Sequence, residues 1–104
     1  MKEIIHPSVE KHINEIKELM IHYKVEHASV FGSAVKGNFN DSSDVDFLIK
    51  FNPSLDFETY SDNYFALMYA LQKLLNRDVE LVAEETITNK YFEQSINESR
   101  VSIL

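Results

Sequence analysis

A chain of 104 residues with 44% hydrophobic content can bury one modest core but not a catalytic domain beside a separate substrate domain, so residues 1–104 are expected to form a single domain. Seventeen acidic against ten basic side chains leave a formal net charge of −7, which argues against a free-standing nucleic-acid binder, since that binding needs lysine and arginine to displace phosphate counterions. The absence of cysteine excludes a disulfide framework and thiolate-ligated zinc, and with no apolar run longer than Phe65–Leu71 and a Lys2-Glu3 start unlike a signal peptide, a cytoplasmic location without membrane contact is expected.

After His6-Pro7-Ser8, the residues Val9, Ile13, Ile16, Met20 and Tyr23 recur at three- and four-residue steps. That is the stripe of an amphipathic helix, and a proline in its first turn suits the start. Ala28, Val30 and Phe31 read as a strand ending at Gly32. The stretch from Val35 to Ser43 holds Gly37, Asn38, Asn40, Asp41 and two serines, and is expected to be an exposed, mobile loop. Val45–Phe51 alternates as a second strand, with Val45, Phe47 and Ile49 on one face and Asp44, Asp46 and Leu48 on the other, and Asn52-Pro53-Ser54 ends it. Tyr64, Leu67, Met68, Leu71, Leu74 and Leu75 mark a long helix that begins between Leu55 and Asp62 and ends near Arg77. Val79–Ala83 reads as a third strand, Thr88–Glu98 as a helix with Tyr91, Phe92 and Ile96 inward, and Val101–Leu104 as a short last strand. The order α-β-β-α-β-α(-β) predicts an α/β (α+β) domain in which helices flank a small mixed β-sheet.

The chemistry concentrates in a few positions. Gly32 lets the backbone approach an anion, and Ser33 adds a hydroxyl and an N–H, as in other phosphate-holding turns. Asp44 and Asp46 share a strand face about 6.6 Å apart. If the third strand lies beside the second, Glu80 joins them, and three carboxylates in one place are tolerable when divalent cations neutralise them. Oxygen ligands together with a triphosphate favour magnesium.

Plainer explanations compete. Asp41–Asp46 alone could be a polar turn capping a strand, and a calcium loop fails because its sixth position is Asp46 rather than glycine and its twelfth is Asn52 rather than glutamate. Glu80 could be a solvated edge residue or pair with Arg77 or Lys50. Lys36 could be a solvent-facing loop lysine. His6, His12, His22 and His27 have no metal-ligand spacing. Phe57, Tyr60, Tyr64 and Tyr69 read as core and helix packing, with a partner-binding face including Phe57 and Tyr60 as the alternative.

Taken together, Gly32-Ser33, Asp44-Val45-Asp46 and Val79-Glu80-Leu81-Val82 resemble the minimal nucleotidyltransferases of the DNA polymerase β-like superfamily. Two positions depart from the common pattern: Lys36 stands where an arginine is frequent, and Glu80 where aspartate is usual. The resemblance implies the polymerase β-like palm fold. It also implies that Gly32, Ser33 and Lys36 hold the phosphates of ATP, that Asp44, Asp46 and Glu80 bind two magnesium ions, and that Glu80 helps deprotonate an acceptor hydroxyl. By the same resemblance the domain is the antitoxin of a toxin–antitoxin pair, adenylylating a helical HEPN-type partner that supplies the missing helical half. A homo-oligomer is compatible with it. Two other functions compete: a catalytically decayed module that neutralises its partner by masking, and transfer to a small molecule of the aminoglycoside type.

Overall fold

The computed structural model describes residues 5–37, 39–40 and 42–104, so Lys2, Glu3, Asn38 and Asp41 lie outside it. The first helical stripe forms two segments, α1 (Pro7–Glu10) and α2 (Ile13–His22). The single helix expected there is interrupted because the His12 N–H bonds back three residues to the Val9 carbonyl at 3.0 Å, before Ile16 resumes the four-residue step to the His12 carbonyl. Both segments still bury one stripe, with Val9, Ile16 and Met20 inside. Pro7 sits in the first turn of α1, and the His6 ring nitrogen Nδ1 accepts from the Ser8 N–H at 3.2 Å, which caps it.

Strand β1 (Val25–Phe31) runs into the one-turn helix α3 (Ser33–Lys36), and β2 is Val45–Phe51. The long helix α4 (Phe57–Leu75) is capped by Asp56, whose carboxylate accepts from the Thr59 N–H at 2.8 Å and is thereby held below the usual aspartate range. It crosses over to β3 (Val79–Ala83), followed by a short 3-10 turn (Glu84–Thr86), α5 (Lys90–Ser99) and β4 (Val101–Ser102). The sheet order is β3-β2-β1-β4. β1 pairs antiparallel with β2 and β4, whereas β3 lies parallel to β2, the arrangement that a crossover helix allows.

One sheet face carries the core. Val30, Val45, Phe47, Ile49 and Leu81 are buried under α2 and α4, against Ile16, Met20, Leu67 and Leu71. Among the described residues the opposite face carries a smaller apolar cluster, Phe31, Leu48 and Ile96 with Val82 and Ile87 packed against them, beneath α5. Leaving the rest of that face uncovered is what gives charged side chains a place on it.

Three expectations need correction. Of the three large side chains expected inward in α5, Ile96 is buried, while Tyr91 is 84% and Phe92 40% exposed, because the cluster beneath the helix is too small to hold all three. In α4, Tyr60 and Tyr64 are half-buried, but Phe57 at 86% and Tyr69 at 62% face outward. The segment Val35–Ser43, expected as an exposed loop, begins within α3 and is partly packed: Val35 lies against the core, and the Phe39 ring sits 4.7 Å from that of His6.

Candidate active site

The end of β1 and the starts of β2 and β3 meet on the uncovered face. Phe31 stands opposite Asp46 in the β1–β2 register, so Gly32 falls beside the Asp46 side chain. Gly32 has φ +77° and ψ −148°, a conformation open essentially to glycine, and a Cβ added there would run into Asp46 Oδ2. Ser33 begins α3 next to it. Lys36 lies in the last turn of α3, exposed, before Gly37 turns the chain with φ +94°.

The neighbour relation that the sequence left open is present. β2 and β3 are parallel with Asp46 opposite Glu80, and residues in register on adjacent strands project from the same face. Asp46 is half-buried, and its carboxyl is pushed up to about 6. Burial is the main cause, followed by the Glu80 charge, a side-chain hydrogen bond with Glu80 and the charge of Asp44, the residue just before β2. Asp44, Asp46 and Glu80 therefore share one electrostatic environment. Neither Lys50 nor Arg77 forms an ion pair with Glu80 among the described residues.

Among those residues, no three acidic or histidine side chains close into a ready-made cation cage. The site presents an open pair of facing carboxyls, Asp46 and Glu80, with a third carboxylate nearby. These hard oxygen donors repel one another and have no cationic side chain paired to them, a donor set that fits a divalent cation sharing its coordination with phosphate oxygens. Ser33 and Lys36 are not tied to this group: among the described residues no ion pair joins Lys36 to the carboxylates, and Ser33 is placed near them only as the neighbour of Gly32.

Two positioning side chains went unread in the sequence. Ser99, buried at the end of α5, accepts the Gly32 N–H on its Oγ at 3.1 Å across a separation of 67 residues. A polar residue three positions after Ile96 on the buried side of a helix was the signal for it. Because that N–H is engaged, Gly32 contributes close approach rather than a free donor. Arg77 donates to the carbonyls of Asn40 at 3.0 Å and Ser43 at 2.8 Å, and its guanidinium lies 4.2 Å from the centre of the Phe39 ring. It thereby holds the chain leading into Asp44. Bonds to backbone carbonyls of distant residues leave no trace in local sequence pattern. On the far side of the site, the Tyr64 hydroxyl donates to the Leu81 carbonyl at 2.6 Å, and its ionisation is raised first by burial and then by the Glu80 charge.

Residues 14–104 match the protein family described as Polymerase beta, Nucleotidyltransferase. A protein of Methanocaldococcus jannaschii, named as a candidate protein adenylyltransferase, is 30% identical over 101 residues, covering 89% of this chain and 99% of the relative. Among solved structures, a candidate minimal nucleotidyltransferase superposes with a TM-score of 0.76 at 19% identity, over 97% of this chain and 98% of the other. A chain from a Shewanella oneidensis complex of tri-AMPylated HEPN toxin with MNT antitoxin superposes with a TM-score of 0.63 at 20% identity, over 91% and 71% of the two chains. The structural likenesses establish the fold.

Proposed function

Because the chain belongs to the polymerase β nucleotidyltransferase family and is a nucleotidyltransferase, we propose that it moves an adenylyl group from ATP to a hydroxyl of a partner protein, as the antitoxin to a helical HEPN-type toxin. The observation that carries the chemistry is the register of Asp46 with Glu80 beside the Gly32 turn. The name of the archaeal relative and the AMPylated toxin in the complex support the choice of AMP and of a protein acceptor.

In this reading Ser33, through its N–H and hydroxyl, grips the β- and γ-phosphates, Gly32 lets them come close, and Lys36 lends a point charge from the end of α3. Asp44, Asp46 and Glu80 hold magnesium, two ions by analogy with related sites, which when bound polarises the α-phosphate and offsets charge on the leaving group. Glu80 accepts the proton of the acceptor hydroxyl as its oxygen bonds to the α-phosphorus. The bond from the α-phosphorus to the bridging oxygen breaks, pyrophosphate departs, and AMP stays on the acceptor.

The test is transfer of label from the α-phosphate of ATP to the helical protein encoded beside this chain, with magnesium present. One or more adenylyl groups on that protein, lost when Asp44→Asn and Asp46→Asn are combined, is the expected outcome. If the double variant still labels the partner, the mechanism is wrong. If neither form labels it but both neutralise it equally, the chain acts by masking.

A further inference from the structure

Phosphoryl transfer needs the attacking and leaving oxygens roughly in line, so where the pyrophosphate sits decides where the acceptor must enter. Across the sheet the order is Gly32 and Ser33 at the end of β1, Asp46 on β2, then Glu80 on β3. With phosphates at the β1 side, the acceptor comes over β3, which is an edge strand. Along that edge lies a cleft of about 260 Å³ lined by Phe57, Tyr60, Ser61, Tyr64, Phe65 and Thr86. Phe57 and Phe65 share a four-residue stripe of α4 with the exposed Tyr69, and Phe65 is 49% exposed.

We infer that this aromatic cleft is the docking surface for the acceptor protein, and that the partner presents a large apolar anchor side chain ringed by lysine or arginine. The inference rests on the adenylyl-transfer reading for the direction of approach, and on the surface itself for the kind of partner.

Each alternative occupant meets a physical obstacle. A β-strand added to the edge of β3 would have to displace the Tyr64 hydroxyl from the Leu81 carbonyl and the Thr86 hydroxyl from the Ala83 carbonyl, the latter bond being 2.7 Å. The volume falls below the ~300–1,000 Å³ usual for small-molecule sites but suits one bulky side chain. The rim carries acidic side chains: Glu58 and Asp62 stand one position along α4 from the aromatic stripe, Glu85 follows β3, and none of the three is ion-paired among the described residues. Glu85 accepts from the Tyr60 hydroxyl at 2.9 Å, which places its carboxylate beside the cleft. A second copy would bring another −7 and a matching acidic rim, and anionic lipid or nucleic acid would be repelled in the same way. Basic side chains around an apolar anchor satisfy both parts of the surface.

The probe is a pair of synthetic amphipathic helical peptides with identical leucine and phenylalanine faces, one flanked by lysine and the other by glutamate. Amide shifts of the intact chain map their binding at fixed ionic strength. The lysine peptide is expected to perturb Phe57, Tyr60, Phe65 and Thr86 and to bind at least tenfold more tightly than the glutamate peptide. Phe57→Ala, and Phe57→Ala with Phe65→Ala, should weaken it at least tenfold without changing magnesium-ATP binding. Ile21→Ala, an exposed apolar change on α2, should leave it unaltered, and Asp46→Asn should bind peptide normally, so that docking is read independently of catalysis. Equal binding of the two peptides, undiminished binding by both phenylalanine variants, or a dimer of the chain that these substitutions dissolve would each overturn the inference.

Discussion

Gly32 shows how one residue couples backbone to chemistry. Its φ of +77° excludes most side chains, and the space where a Cβ would stand belongs to Asp46 Oδ2. Replacing it by alanine is expected to cost about 1–3 kcal/mol of backbone strain and to push the Asp46 carboxyl out of line with Glu80. A displacement of an ångström at a reacting centre costs on the order of 100-fold in rate. Gly32→Ala should therefore lower kcat/KM for adenylyl transfer much more than it lowers the urea midpoint; a stability loss with intact turnover would show that the close approach has no catalytic meaning. The glycine itself was legible as a turn. Its contact with Asp46 was not, because Phe31 and Asp46 become neighbours only when β1 and β2 pair.

Among the elements, the strands behaved as their alternation implied: β2 and β3 have the bounds that their residue patterns predict, since a period of two is written locally. Helices were less complete, because a stripe says which residues could face inward and not how much sheet awaits them. Ile96 finds the Phe31–Leu48 cluster while Tyr91, five residues earlier, finds solvent. The end of α4 does more than finish a helix. Asn76, with φ +52°, turns the chain so that Arg77 reaches Asn40, Ser43 and Phe39. Arg77→Ala is expected to cost about 1–2 kcal/mol from the lost hydrogen bonds and ring contact. It should also raise the magnesium concentration needed for half-maximal activity several-fold, by loosening the approach to Asp44. Arg77→Lys, which keeps the charge but not the fork, should fall between. A magnesium requirement unchanged in Arg77→Ala would remove this arginine from the site and leave it a role in packing.

For the molecule as a whole, the carboxylate group is a local cost to stability. Asp46 titrates near 6 in the folded chain against an ordinary value of 3.8, so between those values the folded state binds the extra proton and stability falls as pH rises. Below about 4 the penalty is absent, and above about 6 it is fully present. A two-unit shift corresponds to about 3 kcal/mol for a sealed carboxyl, and solvent screening at this half-exposed position reduces it to the order of 1 kcal/mol. Asp46→Asn should therefore be more stable than the parent in chelator at pH 7 and lose that advantage towards pH 4, as read by thermal melts across the range. Magnesium should close the gap at pH 7 by binding the parent. An advantage independent of pH would place its origin in packing rather than charge.

Local pattern alone determined the spans of β2 and β3, the long helix between them and the turn at Gly32, since these depend on steps of two to four residues along one chain, whereas the break between α1 and α2 and the helical turn α3 did not show in it. Tertiary structure decided that β3 lies parallel to β2 with Glu80 opposite Asp46, that Ser99 holds the Gly32 N–H, and that an aromatic cleft opens along the edge of β3. Those relations join residues separated by whole helices. Strand order and register follow from how the α4 stripe buries itself against the sheet, a global packing outcome to which no short window of sequence has access.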